Sequence, residues 1–181
     1  MKNVGKIFED KFKESVPDYC LLIRLPDPPQ AFTQRKDTRF SHKNPFDYIM
    51  FDTNSRTLFC LELKSTKNKS ISFENIDTDE EQKRMIHRHQ ILGLKRCSEY
   101  RNITAGFLFN FRDENNNMER TYFQSIEDFY SMVRKLDKFS FNEIDLILNN
   151  SIKIQGIKKR TRYIWDIDLF LKSQYDKLIE R

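Results

Sequence analysis

The sequence has few of the residues that mark disordered or fibrous proteins. Only four of its 181 residues are glycine and five are proline, which argues against low-complexity linkers and collagen-like repeats. No apolar run approaches the ~18 residues of a membrane span, and the N-terminus lacks the pattern of a signal peptide. These absences predict a soluble, cytoplasmic protein without a membrane partner.

Thiols and imidazoles are also scarce. The three cysteines (Cys20, Cys60 and Cys97) are odd in number, widely spaced and each inside an apolar segment, so we expect buried free thiols. The three histidines lack zinc spacing, because the nearest two are two positions apart and would point in roughly opposite directions on a helix. Zinc binding and thiol chemistry are therefore not expected.

Hydrophobic residues are present in the amount that one domain needs. They make up 38% of the sequence, with 16 Phe and seven Tyr, and no internal repeat is found. A chain of 181 residues suits a single domain over residues 1–181. The formal net charge of +5 and the pI near 9.0 favour a polyanionic partner, although such an excess also occurs in proteins that bind no nucleic acid.

The most informative stretch is 45–64, which predicts two strands joined by a polar turn at 52–55. Asp47 opens the first strand, and strand alternation places Glu62 and Lys64 on one face of the second. Two carboxylates suit Mg²⁺, and an ammonium beside them can hold or deprotonate a water. The alternative is a surface hairpin with a weak Glu62–Lys64 ion pair. Apolar residues on both faces of this strand favour the metal site.

An aspartate followed by Glu-x-Lys at the end of a hydrophobic strand resembles the PD-(D/E)xK nuclease superfamily. Within it, the sequence is similar to the RecU-like Holliday junction resolvases over roughly two thirds of the chain, in the same order. The likeness lies in Asn3-Val-Gly5 with Glu9, Pro45 and Asp47, Glu62-Leu-Lys-Ser-Thr-Lys-Asn-Lys-Ser-Ile-Ser-Phe-Glu-Asn-Ile76, Ile86-His-Arg-His-Gln90 and Phe107-Leu-Phe109.

The resemblance implies a fold and a reaction. The fold is α/β and restriction-endonuclease-like, with a mixed central sheet of about five strands flanked by helices and a C-terminal helix and hairpin extension at 125–181. The reaction is phosphodiester hydrolysis that resolves four-way DNA junctions in recombination and repair. A homodimer is implied, because a four-way junction is two-fold symmetric and needs two matched incisions.

The same resemblance implies the members of the metal site. Mg²⁺, with Mn²⁺ as a substitute, would be held by Asp47, Glu62 and the Leu63 carbonyl, and no small-molecule cofactor is expected. Glu9 would approach the metal, often through water. Gln90 would support the catalytic carboxylates.

Without the resemblance, the residue pattern does not decide whether Glu9 and Gln90 have a functional role. Glu9 lies beside the apolar stripe of a helix predicted over 2–16, where it either faces solvent or reaches over the sheet. Gln90 lies on the buried side of a helix predicted from about Asp79 to Cys97, where a glutamine is more often a satisfied polar residue than a functional one. Further along, Ser125 and Ser140 are predicted to cap short helices.

Three basic clusters are candidates for DNA binding. They are the loop at 30–44, the segment after the Glu62 strand, and the C-terminal part of the chain. Each has a simpler explanation: a solvated loop, a solvated turn, or an edge hairpin blunted by lysines. In RecU-like resolvases the loop would form a protruding stalk that enters the branched DNA. The residues are Arg35, Lys36, Arg39 and Lys43; Lys67 and Lys69; and Lys158, Lys159 and Arg160.

Two other functions stay open. One is a structure-nonselective or restriction-type endonuclease of the same fold, which is favoured if the loop is too short to enter a junction. The other is a non-catalytic DNA-binding module on a decayed nuclease fold. The presence of Asp47, Glu62 and Lys64 argues against decay.

Overall fold

A computed structural model describes residues 4–26, 43–80, 82–160 and 162–179, and it contains five helices and ten strands within these ranges. In chain order the elements are α1 (Val4–Ser15), β1 (Cys20–Arg24), β2 (Tyr48–Asp52), β3 (Thr57–Thr66), β4 (Ser70–Ser72), α2 (Arg88–Ser98), β5 (Ile103–Asp113), β6 (Met118–Ser125), α3 (Ile126–Lys135), β7 (Ser140–Asn142), α4 (Glu143–Leu148), β8 (Ile152–Ile154), β9 (Gly156–Lys158), β10 (Tyr163–Trp165) and α5 (Ile167–Ile179).

Six of these strands form one mixed sheet in the order β1-β2-β3-β5-β6-β8. Neighbouring strands are antiparallel except β3 and β5, which are parallel, and α2 lies in the connection between them. The predicted mixed α/β architecture is confirmed, with six strands rather than about five. The sixth strand, β8, comes from the region predicted as an extension, and it pairs with β6.

Each face of the sheet carries its own apolar core. Phe8 and Phe12 of α1 pack on one face, and Ile91 of α2 packs with Phe107 on the other. Because side chains alternate along β3, Leu61 and Leu63 enter the first core, whereas Glu62 rises from the face that α2 covers. The charged residue of this strand therefore lies under the start of a helix.

Helix α2 begins nine residues later than the predicted start at Asp79, so that part of the prediction is wrong. The segment before it instead carries an isolated bridge between Phe73 and Ile86. The Glu74 carboxylate accepts the Arg88 N–H at 2.7 Å, so an acidic side chain outside the helix satisfies its first turn. The acidic side chain that stabilises the start of this helix, Glu74, therefore comes from the segment before the helix.

The two predicted caps differ in outcome. Ser125 caps α3 and accepts the Asp128 N–H at 3.1 Å, as predicted. Ser140 does not cap α4, because it lies in β7; Asn142 performs that role and accepts two N–H groups of the first turn.

No helix in the described part of the chain has both the length and the apolar content that crossing a bilayer requires.

Candidate active site

The candidate site lies just before the first residue of β2, where the antiparallel strand β3 continues beyond it. Pairing between these strands stops at Tyr48 and Leu61, and β3 runs on to Thr66. Asp47 stands just before β2, and its Oδ2 accepts the Leu63 N–H at 2.8 Å. The Asp47 carboxylate therefore occupies the position that the next backbone pair would take, and it is fixed to the strand that carries the glutamate.

Glu62 is the centre of the contacts in this site. Its side chain is only 2% exposed, and Lys64 Nζ lies 2.9 Å from its Oε1. Gln90 Nε2 donates to the same oxygen at 2.5 Å. The other oxygen, Oε2, is buried and has no hydrogen-bond partner among the residues described. One carboxylate oxygen is thus held by two donors while the second remains available to a ligand.

Both carboxyl groups resist ionisation. Burial raises the pKa of Glu62 to about 7; nearby Lys64 opposes this shift, and Asp47 reinforces it. Burial also raises the pKa of Asp47, although the Leu63 N–H and Lys64 oppose the shift. A bound cation would favour the ionised form of both groups, because it supplies the opposite charge that burial withholds.

The donors present fit a hard cation such as Mg²⁺. Asp47 and the free oxygen of Glu62 provide carboxylate oxygens, which Mg²⁺ prefers. The N–H and C=O of one strand residue point to the same side, so the Leu63 carbonyl faces the side on which β2 has ended. These three groups match the predicted ligands apart from Glu9.

The structure does not bring Glu9 into this donor group. Across the four described ranges, no three His, Cys, Asp or Glu side chains gather as a metal cluster. Glu9 lies over the opposite face of the sheet, where its Oε2 accepts from Tyr48 Oη and Arg24 Nε, both at 3.2 Å. It reaches over the sheet rather than facing solvent, and its charge raises the pKa of Asp47 as a smaller effect beside burial.

A cavity of about 250 Å³ opens beside the carboxylates. It is lined by Lys43, Asn44, Phe46, Asp47, Glu62, His87, His89 and Gln90. A larger cavity of about 610 Å³ lies at the adjacent ends of β3 and β5 and is lined partly by Lys67, Lys69, Arg112 and Arg120. It contains none of the motif residues, so the smaller cavity is the one that the chemistry indicates.

Three residues near the carboxylates, Arg24, Glu74 and His87, were not predicted as site residues. Arg24 lies at the end of β1, contacts Glu9 and lowers the pKa of Asp47, against the larger effect of burial. Single charged residues of this kind have no periodic signal. His87 had one, because it precedes Gln90 in the His-x-His-Gln sequence, but it was considered only as a zinc ligand.

The predicted DNA-binding residues are placed unevenly. Arg35, Lys36 and Arg39 lie outside the described residues, whereas Lys43 lines the smaller cavity. Lys67 forms an ion pair with Glu114 at 2.5 Å, and Lys69 lines the larger cavity beside it.

The C-terminal cluster lies in the β9–β10 hairpin. Lys158 is the last residue of β9, and Lys159 and Arg160 follow it. Lys158 Nζ donates to the Asn117 carbonyl at 3.2 Å, in the turn that joins β5 to β6. Because β3 and β5 are parallel, this turn and the C-terminal end of β3 lie at the same edge of the sheet. The described basic groups therefore follow the edge that holds the site.

Fold and site together define a mixed α/β protein with two carboxylates and a lysine at the end of its central strand. No family model matches the sequence. The chain is 38% identical over 176 residues to the SPbeta prophage-derived uncharacterized protein YotM of Bacillus subtilis (strain 168), and the match covers 90% of this chain and 82% of that protein. The chain belongs to the family of this prophage-derived protein.

Proposed function

We propose that this protein is a Mg²⁺-dependent endodeoxyribonuclease that resolves four-way DNA junctions by paired phosphodiester hydrolysis. The observation that carries the proposal is the meeting of Asp47 and Glu62 at one cavity, with Lys64 bound to one Glu62 oxygen and the other oxygen buried and free of partners among the described residues. A buried carboxylate pair beside a lysine needs a cation to be stable in its charged form, and phosphodiester hydrolysis needs the same cation.

Each residue of the site has a role in that reaction. Asp47, Glu62 and the Leu63 carbonyl would hold the metal, for which Mn²⁺ is a substitute. When bound, the ion stabilises charge on the phosphate and lowers the pKa of a water. Lys64 orients or deprotonates the attacking water. Gln90 orients the Glu62 carboxylate through its hydrogen bond, as residues that contact a metal ligand but not the metal commonly do.

The architecture supports a restriction-endonuclease-like fold as the finer description. The mixed sheet has the Glu9 helix, α1, on one face and the Gln90 helix, α2, on the other. The motif residues lie at the ends of the strands between them. This is the arrangement that the resemblance to RecU-like resolvases implies.

Two features favour a junction as substrate. The basic loop at 30–44 lies between β1 and Asp47 in the chain, and described residues on both sides adjoin the site, since the Leu25 N–H donates to the Asp47 carbonyl and Asn44 lines the smaller cavity. Its cations would meet the converging phosphates of a junction centre, and its phenylalanines the exposed base pairs. A homodimer would place two such sites about a two-fold axis and make paired incisions. The prophage-derived relative is in keeping with a role in recombination and repair of phage DNA in the cytoplasm.

A second candidate is a general DNA endonuclease without junction preference. The basic groups along the site edge, which include Lys69 and Lys158, favour this candidate because they would contact any duplex arm equally well.

One experiment separates these functions. The protein is incubated with a labelled four-way junction and with a matched linear duplex, each in Mg²⁺ and in EDTA. We expect symmetric cuts in the junction only, and only with Mg²⁺. Equal cutting of the duplex would support the second candidate. Binding without cleavage of either DNA in Mg²⁺ or Mn²⁺ would contradict both.

A further inference from the structure

One imidazole in the candidate site has no part in the mechanism above. His87 precedes α2 and lines the same cavity as Asp47 and Glu62. Its side chain is 43% exposed, so a substrate entering the cavity can reach the ring. A histidine that faces two carboxylates and solvent is a candidate for proton transfer.

The ring is held in one orientation by Glu74. His87 Nδ1 lies 2.9 Å from Glu74 Oε1, and the Glu74 side chain is only 6% exposed. The N–H groups of Arg88 and Gln82 also donate to this carboxylate, at 2.7 and 3.2 Å. Although burial acts the other way, these donors and His87 hold the pKa of Glu74 below its ordinary value. A carboxylate at this place makes Nδ1 the donor and directs Nε2 away from it.

The backbone of His87 is tied to the metal-site carboxylate by a single side chain. Its N–H donates to Gln90 Oε1 at 3.0 Å, and Gln90 Nε2 donates to Glu62. Within the described ranges His87 Nε2 has no hydrogen-bond partner. The Glu74–His87 pair is therefore positioned relative to Glu62, with one ring nitrogen left for a substrate.

The neighbouring imidazole is less suited to the same task. The His89 ring stacks on His87, with 5.5 Å between centroids and 14° between planes. Burial lowers the pKa of His89, and the nearby charge of His87 lowers it further. It has no carboxylate partner of the Glu74 kind among the contacts of the described chain. His89 therefore serves as the natural control for His87.

We propose that His87 is a further catalytic residue, which gives a proton from Nε2 to the sugar oxygen that leaves, and that Glu74 is its positioning residue. This proposal rests on the hydrolysis proposed above. Attacking and leaving oxygens lie on opposite sides of phosphorus in an in-line displacement. Lys64 holds Glu62 Oε1 without lining the cavity, whereas His87 lines the cavity and only the His87 backbone N–H is linked to Glu62, through Gln90. The two groups therefore suit opposite ends of the reacting phosphate.

The step balances without an added reagent. The water oxygen forms a bond to phosphorus, and the bond from phosphorus to the sugar oxygen breaks. The proton on His87 Nε2 moves to that sugar oxygen and yields an alcohol. The proton lost by the water passes to solvent, and solvent returns a proton to His87. The net reaction is hydrolysis of one phosphodiester.

A substrate with sulfur in place of the leaving oxygen tests this role. A thiol has a pKa near 8.5, far below that of an alcohol, so it leaves without being protonated. His87→Ala should slow single-turnover cleavage of the oxygen substrate on the order of 10²-fold, as expected for loss of a general acid. On the sulfur substrate its rate should approach that of wild type under the same conditions. The ends of the wild-type products show which bridging atom to replace.

Three more variants make the test specific. Glu74→Gln should show a smaller loss that is also rescued by sulfur, because it acts through His87. His89→Ala removes the other imidazole, and any loss it causes should be equal on both substrates. His87→Asn keeps a donor for Glu74 and should be rescued as His87→Ala is, even if the alanine variant unfolds. Folding is checked by thermal unfolding and by DNA binding in EDTA.

The outcomes separate the two proposals. A His87 loss of equal size on oxygen and sulfur substrates would mean that the ring only shapes the cavity, and the general-acid role would be overturned. Wild-type protein that cuts neither substrate in Mg²⁺ or Mn²⁺ would overturn the nuclease function itself.

Discussion

Gln90 joins helix α2 to the central strand through both ends of its amide. Nε2 donates to Glu62 Oε1 at 2.5 Å, while Oε1 accepts the His87 N–H at 3.0 Å. The side chain is thus at once a satisfied polar residue and a neighbour of the Glu62 carboxylate. The two alternatives that the sequence left for this glutamine do not exclude each other.

Replacing Gln90 should affect both stability and rate. Gln90→Ala leaves the buried Glu62 without one donor and the His87 N–H without its acceptor, so we expect a loss of about 1–3 kcal/mol in the free energy of unfolding. Cleavage should slow, but by less than in Asp47→Asn, because Gln90 orients a ligand rather than being one. Glu9→Ala, which also acts indirectly, should likewise slow cleavage by less. Urea unfolding and single-turnover rates measure these effects.

Gln124 offers a matched control for that substitution. It is a second buried glutamine, and it lies away from the site. Its Nε2 donates a hydrogen bond of 2.6 Å to the Asn149 carbonyl. Gln124→Ala should lower stability without slowing cleavage per folded molecule. Gln90→Ala cutting at the wild-type rate would show that the contact with Glu62 has no role in the reaction.

Removal of any motif residue should abolish cleavage and spare DNA binding. Asp47→Asn and Glu62→Gln remove metal ligands, and Lys64→Ala removes the group that orients water, while the basic surface is unchanged. Asp52→Asn is the control, because Asp52 is as buried as Glu62 but accepts from the Asn54 and Ser55 N–H groups and the Ser55 hydroxyl in the turn after β2. It should lose stability rather than activity. Near wild-type cleavage by any of the first three would mean that the site is misplaced.

The raised pKa of Glu62 predicts how stability depends on pH without metal. Its folded pKa of about 7 exceeds the ordinary value of 4.5, so the folded state binds the proton more tightly than the unfolded state. This stabilisation is complete below pH 4.5 and is lost as pH rises through 7. Glu62→Gln removes it, so the variant should gain stability relative to wild type by up to about 3 kcal/mol between pH 4.5 and 8 in EDTA. A difference that does not change with pH would contradict the shifted pKa.

Divalent cations should reverse that loss. Under the proposed function Mg²⁺ binds the ionised carboxylates of the folded state only, so at 100 times its dissociation constant it should stabilise wild type by about 2.7 kcal/mol. The effect should be larger at pH 8 than at pH 5, because Glu62 must lose its proton to bind. Thermal unfolding with Mg²⁺ or Mn²⁺ measures it, and Asp47→Asn and Glu62→Gln should respond little. Equal stabilisation of these variants would place the cation elsewhere.

Local patterns in the sequence predicted the part of the site that one hairpin builds. Asp47, Glu62 and Lys64 lie on two adjacent strands, and strand alternation alone puts the last two on one face. The Gln90–Glu62 contact is different, since it spans 28 residues and depends on the crossover that brings α2 over β3. Resemblance to a family indicated Gln90; periodicity showed only that it was buried.

The errors also have a physical origin. Helix α2 was predicted to begin at about Asp79, but backbone pairing between Ser72 and Ile86 keeps the preceding segment outside the helix. Glu74 then binds the helix from outside. Arg24 and Glu74 were missed because a single charge shows its partner only after the chain has folded.

The basic loop at 30–44 gives the last prediction, which separates a resolvase from a general nuclease. Arg35→Ala, Lys36→Ala and Arg39→Ala in combination should weaken binding to a four-way junction more than binding to a matched duplex. A junction differs from duplex at its open centre, where the phosphates of four strands converge. Loss of three phosphate contacts should also reduce the slope of log K against log salt by up to about 2.7 on the junction.

The matched control for this triple variant is replacement of the basic cluster in the β9–β10 hairpin, because that replacement also removes three positive charges. Lys158, Lys159 and Arg160 lie along the site edge beside the β5–β6 turn, where they would contact one duplex arm in either DNA. Their combined replacement by alanine should therefore weaken junction and duplex to the same extent. Titrations of both triple variants at several salt concentrations distinguish the two patterns. If the loop variant also loses the same amount of affinity for junction and duplex, the loop is one more phosphate contact. A general endonuclease then becomes the better description of this protein.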